Sequence, residues 1–252
     1  MHVTAPLTTT HAHGVCVVIP TYNNAGTLPQ VVAQVQAYGL PVMVVDDGCT
    51  DATGEWLRQA KGITVVSYTP NRGKGYALRQ GFERARRMGY SHVLTIDADG
   101  QHKAHDIPRL LQAHAARPEA LIIGSRNLNA EHMPRGNTFA NRFSNFWFAV
   151  QTAHPLPDTQ TGFRIYPLCH YGRLWWLTWR YEAELELLVW AVWKGAPVCP
   201  VTVDVYYPPR ELRVSHFRPY ADFLRISLLN TVLCVLAVVY GYPRMLITRL
   251  CR

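Results

Sequence analysis

The feature that most constrains this chain is a regular alternation of short, apolar, β-branched runs with helical patterns through its first half. Val15 to Pro20 (VCVVIP), Pro41 to Asp46 (PVMVVD), Ile63 to Tyr68, His92 to Ile96 (HVLTI) and Ala120 to Gly124 read as strands. Between them Gly26 to Tyr38, Asp51 to Lys61, Gly75 to Met88 and Asp106 to Ala116 read as helices. Strands that are apolar throughout must be covered on both faces. The expected fold is therefore α/β, a mostly parallel sheet between two helical layers. The chain's 252 residues suffice for one such domain and a short appendage.

In sheets of this kind ligands gather beyond the carboxyl ends of the strands. There the sequence places Pro20-Thr21-Tyr22-Asn23-Asn24, Asp46-Asp47, Asn71-Arg72-Gly73-Lys74 and Asp97 to His102. Each group alone is an ordinary turn or cap; four on one rim point to a ligand site. Asp97 and Asp99, directly after a strand, suit a hard divalent cation such as Mg²⁺ or Mn²⁺ bound to a diphosphate. Gln101 is the natural third oxygen ligand and His102 an optional one. Such a cation offsets charge on a departing diphosphate as a Lewis acid. One of Asp46-Asp47 suits a base N–H or a ribose hydroxyl, Asp51 a helix cap and Lys74 a phosphate. The segment NRGKG lacks the first glycine of a phosphate-binding loop and the Ser or Thr after its lysine. Its glycines equally suit a plain turn.

Composition narrows the partners. Aromatic residues are plentiful and only 17% of residues are charged, which excludes a disordered chain. The formal net charge is +8. Arg210, Arg213, Arg218, Arg225, Arg244, Arg249 and Arg252 flank an apolar segment rather than forming a basic arm, which favours a membrane surface over nucleic acid. Ile226 to Tyr240 reaches only ~22 Å as a helix, short of a ~30 Å hydrocarbon core, so an interfacial helix is expected rather than a full span. A helix packed on the sheet domain or on a second subunit is the competing reading, and a homo-oligomer is left open. The six cysteines lack a Cys-x-x-Cys pair and read as reduced, packed thiols. Met1 to Gly14 lacks the character of a signal peptide and reads as a flexible tail. The expected layout is a tail over 1–14, one domain over 15–214 and a membrane-associated helical segment over 215–252, peripheral or monotopic on the cytoplasmic face.

With these motifs in order, the chain resembles the family 2 glycosyltransferases of the GT-A fold, in the branch of the polyprenyl-phosphate sugar synthases. The resemblance spans roughly Val15 to Tyr207 and rests on VVIPTYNN, VVDDGCTD, NRGKGYAL, DADGQH and GSRN. It implies inverting transfer of a sugar from a UDP- or GDP-sugar to a lipid, a polyprenyl phosphate first. Pro20, Tyr22 and Asp47 would then contact base or ribose, and Asp97, Asp99 and Gln101 would bind the metal. Arg126 would lie near the phosphates, with Arg135 and Arg142 as further clamps. Asn24 stands where the family usually has Glu, which puts the donor contact there in doubt. Asp158 to Arg164 (DTQTGFR) resembles an acceptor-side segment, with His216 and Arg218 as further acceptor contacts. Tyr181-Glu182-Ala183-Glu184 resembles a segment that opens a helix. Glu184 on that helix serves either as a general base or, the reading placed first, as an ion-pair partner of Arg164 or Arg126. A phosphate acceptor needs no base, whereas a hydroxyl or amine acceptor gives Glu184 or Glu182 one to play.

Other classes fit less well. A sugar nucleotidyltransferase would carry a glycine-rich loop after its first strand, where this chain has Thr-Tyr-Asn-Asn. A phosphoacceptor domain would need an Asp at the next strand end, and that strand closes in Ser67-Tyr68. An inactive membrane scaffold would have lost the Asp97 to His102 motif, which is whole.

Overall fold

The structure is a computed structural model that describes residues 14–126, 135–171, 177–206 and 219–250, with residues 135–139 and 219–221 in backbone only. The expected alternation forms throughout the first half. The strands are β1 (Val15–Thr21), β2 (Val42–Asp46), β3 (Ile63–Ser67), β4 (His92–Thr95) and β5 (Leu121–Arg126). The intervening helices are α1 (Leu28–Gln36), α2 (Thr53–Gln59), α3 (Lys74–Arg87) and α4 (Ile107–Ala116), the last entered by a 3₁₀ turn over Ala104–Asp106. Then come α5 (Arg135–Thr152), β6 (Arg164–Pro167), α6 (Ala183–Trp193), β7 (Val198–Val203), α7 (Pro219–Leu236) and α8 (Tyr242–Leu250). The seven strands form one sheet in the order β3-β2-β1-β4-β6-β5-β7. Only β6 runs against its neighbours, pairing antiparallel with β4 and β5.

Strand pleating explains why the runs are apolar on both sides. In β1, Cys16 and Val18 join a core beneath α3, α5, α6 and α7, while Val15, Val17 and Ile19 join a second core beneath α1 and α4. The register brings Thr21 beside Asp46 and Asp46 beside Ser67, so the ends of β1, β2 and β3 are level. The described cysteines are all unpaired, as expected of reduced thiols.

The C-terminal segment departs from its expected length. Residues 219–250 run on from α7 through one π-helical turn, Ala237–Gly241, into α8. The stretch Asp222–Leu250 is long and apolar enough to cross a membrane. One face is part of the domain: Leu229, Leu233 and Ala237 are buried in the core that α5 and α6 share. Gln151 Nε2 donates to Asn230 Oδ1 at 2.9 Å, and Trp193 Nε1 donates to the Gln151 carbonyl at 2.8 Å. A Cβ on Gly241 would lie 2.4 Å from the Trp193 ring, so only glycine lets helix and indole meet there. The other face leaves Leu224, Leu228, Val235, Val238 and Leu246 exposed.

On the opposite side of the sheet, His114 of α4 is buried with its ring against that of His92, centroids 4.2 Å apart. Burial, and secondarily His92, pushes the His114 imidazole down to about 4. The native protein therefore refuses a proton that the unfolded chain accepts, and stability falls as pH drops from the ordinary histidine range towards 4. Between pH 7 and 5 this group should remove about 2 kcal/mol. Urea unfolding at the two pH values should show that loss in the wild type and a loss smaller by about that amount in His114→Gln; equal losses would remove His114 as the cause.

Candidate active site

Four strand-end groups do meet on one rim, each held there by its own local chemistry. After β1, Asn23 takes a left-handed conformation, φ 54°. Its Oδ1 accepts from the Thr50 amide at 2.8 Å, and its own amide reaches Cys49 Sγ at 3.2 Å. This ties the first loop to the second. Asn24 turns back on its own loop, Nδ2 donating to the Tyr22 carbonyl at 2.8 Å. Tyr22 is half-buried at the rim and Pro20 lies inside the strand. Asp51 stabilises the start of α2 by accepting from the Thr53 amide at 2.9 Å.

Asp47, expected at the base or ribose, is turned towards the 71–73 loop. It is 3% exposed and accepts from Asn71 Nδ2 (2.8 Å), the Arg72 amide (2.7 Å) and the Gly73 amide (2.8 Å). Both carboxylate oxygens hold the 71–73 loop, and Asp46 is the partly exposed member of the pair. That loop needs its glycines. Gly73 has φ 100°, and a Cβ on it would meet Arg180 Cγ and the Trp179 carbonyl at 2.8 Å. A Cβ on Gly75 would lie 2.4 Å from the Ala183 Cβ. The NRGKG segment is thus the place where α3 and α6 begin in contact, and it presents Lys74 at the first position of α3.

Lys74 is the centre of the site. Its Nζ lies 2.6 Å from Asp97 Oδ1 and 2.9 Å from Glu184 Oε2. Burial works against the ammonium, but Asp97 and then Glu184 outweigh it and hold Lys74 protonated. Burial is the largest influence on the Asp97 carboxyl and raises it, but Lys74, His102 and Arg164 together leave it below the usual range. Burial also pushes Glu184 up, against the pull of Lys74. Glu184 was expected as a base or as a partner of Arg164 or Arg126; its ion pair in the structure is with Lys74. Residue 162 covers the group. A Cβ there would be 2.6 Å from Asp97 Oδ2 and 2.9 Å from Lys74 Nζ, and Thr95 Oγ1 fixes the Gly162 carbonyl at 2.7 Å.

Asp99 and Gln101 flank this centre. Burial first, and the charge of Asp97 second, push the Asp99 carboxyl up to about 6. The Asp99 Oδ1 accepts from the Gln101 amide at 2.9 Å. Two adjacent carboxylates, one resisting ionisation because of the other, are a hard-oxygen set that a divalent cation relieves, so the residues present fit Mg²⁺ or Mn²⁺. His102 is 7% exposed, its ring tilted against that of Phe163 with centroids 5.4 Å apart, and held down to about 4 by burial. Thr27 Oγ1 donates to the Ala98 carbonyl at 2.6 Å, and the Tyr206 amide donates to the Gln101 carbonyl at 2.9 Å. These two anchors on the motif were absent from the sequence reading. His105, Asp106 and Asp204 also bring ligand atoms within 4.8 Å of one another. There Asp106 already accepts from Arg109 at 2.7 Å and from the Asp204 amide at 2.7 Å.

The arginines sort differently from expectation. Arg126 lies at the end of β5 and pairs with Asp158, Nε to Oδ2 at 2.6 Å and Nη2 to Oδ1 at 2.9 Å. Asp158 also takes Asn141 Nδ2 at 2.7 Å and the Gln160 amide at 3.0 Å. Burial raises its carboxyl, but Arg126 outweighs this and holds it low. Arg164 was expected on the acceptor side and is wholly buried. Its guanidinium donates to the Glu184 carbonyl (2.8 Å), the Thr159 carbonyl (2.8 Å) and Tyr166 Oη (3.1 Å), so it braces the floor of the site. Arg142 is exposed on α5, one residue from the buried Asn141 that faces Asp158. Arg135 is described in backbone only, and His216 and Arg218 lie outside the described residues.

The sequence model of Glycosyl transferase family 2 matches residues 16–166. The chain belongs to that family. Among its relatives, the undecaprenyl-phosphate mannosyltransferase of Micrococcus luteus is 32% identical over 162 residues, 60% of this chain and 65% of that protein. The polyprenol monophosphomannose synthase of Mycolicibacterium smegmatis is 33% identical over 181 residues, 64% of each chain. The chain thus spans just under two thirds of the length of these relatives. In fold it is similar to S. aureus TarS 1-349 in complex with UDP-GlcNAc, with a TM-score of 0.57 at 14% identity over 87% of this chain and 66% of that one.

The Arg126–Asp158 pair is buried on one side and saturated with donors. Asp158→Asn should lower unfolding free energy by about 3–5 kcal/mol, measured by chemical denaturation, because it removes the buried carboxylate charge that both guanidinium bonds pair with. A loss below 1 kcal/mol would mean that Asn141 and the Gln160 amide alone hold the segment.

Proposed function

We propose that this protein transfers a sugar from a nucleotide-sugar donor, a UDP- or GDP-sugar, to a polyprenyl phosphate, with inversion at the anomeric carbon. The observation that carries this reading is the Lys74–Glu184 ion pair. The carboxylate best placed to act as a base is buried against an ammonium 2.9 Å away, which suits an acceptor that is already anionic. The names of the relatives support the same acceptor class.

A phosphate oxygen of the acceptor attacks the anomeric carbon as the bond from that carbon to the diphosphate oxygen breaks, and the nucleoside diphosphate leaves with the electron pair. Asp97, Asp99 and Gln101 are the residues that would hold Mg²⁺ or Mn²⁺, which when bound supplies Lewis-acid neutralisation of the leaving diphosphate. Tyr22 and Asp46 line the donor end of the rim. The Arg126–Asp158 pair fixes a guanidinium beside it, a geometry suited to phosphate oxygens. The exposed face of α7 and α8, with Arg225, Arg244 and Arg249 along it, suits attachment to the cytoplasmic face of a membrane as a monotopic helix. A second reading rests on the raised Glu184 carboxyl, a property that a general base for a hydroxyl or amine acceptor would share.

A panel of UDP- and GDP-sugars, assayed with polyprenyl phosphate and with a lipid alcohol, with and without Mn²⁺, tests the proposal. Transfer to the phosphate acceptor is expected, lowered about a hundredfold or more by Asp99→Asn with the fold intact. Transfer to the alcohol alone would overturn it. Glu184→Gln should cost less than about tenfold with the phosphate; a loss of about 10²-fold or more confined to an alcohol acceptor would make Glu184 a base. In flotation with anionic vesicles, wild type should rise with the lipid and Leu228→Glu/Val235→Glu should not; equal flotation would place the membrane contact elsewhere.

A further inference from the structure

We infer that Lys74 is an exchangeable internal counter-ion, occupying one ligand oxygen of the cation site in the donor-free protein and leaving it when a divalent ion arrives. The inference rests on the assignment of Asp97 and Asp99 as cation ligands. Its basis is the arrangement of charge. Lys74 Nζ is 2.6 Å from Asp97 Oδ1, so an ammonium there and a metal on the same carboxylate repel each other at close range and compete for it. Around this point stand three carboxylates, Asp97, Asp99 and Glu184, with Lys74 as the ammonium among them. Even with the Arg164 guanidinium beneath Glu184 counted, the carboxylates outnumber the cations, a deficit that a divalent cation would fill.

The backbone is built for the side chain alone to move. Asp47 clamps the Gly73 amide at 2.8 Å, and the Tyr76 amide donates to the Trp179 carbonyl at 3.0 Å, fixing the peptide on both sides of Lys74. The bare α-carbon at Gly162 leaves no side chain between Lys74 and Asp97. Glu184 is the second anchor. When Asp97 turns to the cation, the ammonium keeps Glu184 and its freed N–H groups become available to the diphosphate that accompanies the metal. Lys74 is in this sense a positioning residue that trades an internal carboxylate for a ligand. Metal without donor must displace an ammonium and receives nothing in exchange. Metal with donor gives that ammonium a new partner. Cation binding is thereby tied to donor binding by one side chain.

The test needs no turnover. Mn²⁺ binding to donor-free protein, followed by electron paramagnetic resonance of the free ion, should be weak in the wild type and about tenfold or more tighter in Lys74→Gln. Lys74→Arg, which keeps a cation on the carboxylates, should stay weak. Adding UDP or GDP should tighten Mn²⁺ binding in the wild type by a larger factor than in Lys74→Gln. If Lys74→Gln proves too unstable for titration, the rise in Tm caused by Mn²⁺ replaces it and should exceed the wild-type rise. Equal Mn²⁺ affinity in wild type and Lys74→Gln, with Asp99→Asn abolishing binding in both backgrounds, overturns the counter-ion role alone. Mn²⁺ binding unaffected by Asp99→Asn overturns the ligand assignment and the inference with it.

Discussion

One ammonium between two carboxylates organises this molecule. Lys74 opens α3, Asp97 lies just beyond the end of β4 and Glu184 lies in the first turn of α6, so a single buried charge cluster joins three separate parts of the chain. Buried ions are costly unless each is matched, and removing any partner leaves the others stranded in a poor solvent. Much of the surrounding architecture serves to keep the match. Asp47 holds the loop that delivers Lys74, Thr27 pins Ala98, and Arg164 holds the Glu184 backbone from below. Polar groups that elsewhere would be loop decoration are structural members around this centre.

The division of labour among charged residues follows from burial. Arg164 and Asp47 have almost no exposed surface, and their hydrogen bonds all stay within the protein. Glu186 likewise accepts from the Leu177 and Thr178 amides at 2.7 and 2.9 Å, fixing the strip that carries Trp179 onto Tyr76. Asp46, Asp97, Asp99, Gln101 and Tyr22 each keep one side open. A rigid inner ring and an open outer ring together give preorganisation, because the outer residues need not be ordered again when a ligand binds.

Much of this was legible in the sequence because it is local. Each parallel strand announces itself by a run of apolar residues, and each strand end by its own polar cluster, so the sheet and the rim follow from short windows of sequence. The pairings do not. Lys74 and Glu184 are far apart in sequence, and nothing in either window says that they meet; the resemblance suggested arginine partners instead. Arg164 was read from its segment as an acceptor-side residue, and its depth was not legible there: β6 is a four-residue strand in the middle of the sheet, and its position buries the side chain completely. Asp158 was read as part of an acceptor segment, and its bond to Arg126 became visible only when β5 and the loop before β6 came together. The C-terminal helix was read as too short because its apolar count stopped at Tyr240, whereas the backbone continues through the π turn.

That helix has a mechanical meaning. The Trp193 ring against Gly241 and the Gln151–Asn230 bond fasten it to α5 and α6, so it cannot tilt without carrying the sheet along. Whatever surface its outer face rests on, the rim is held at one height and one angle above it. The helix is a fixed extension of the domain rather than a swinging arm.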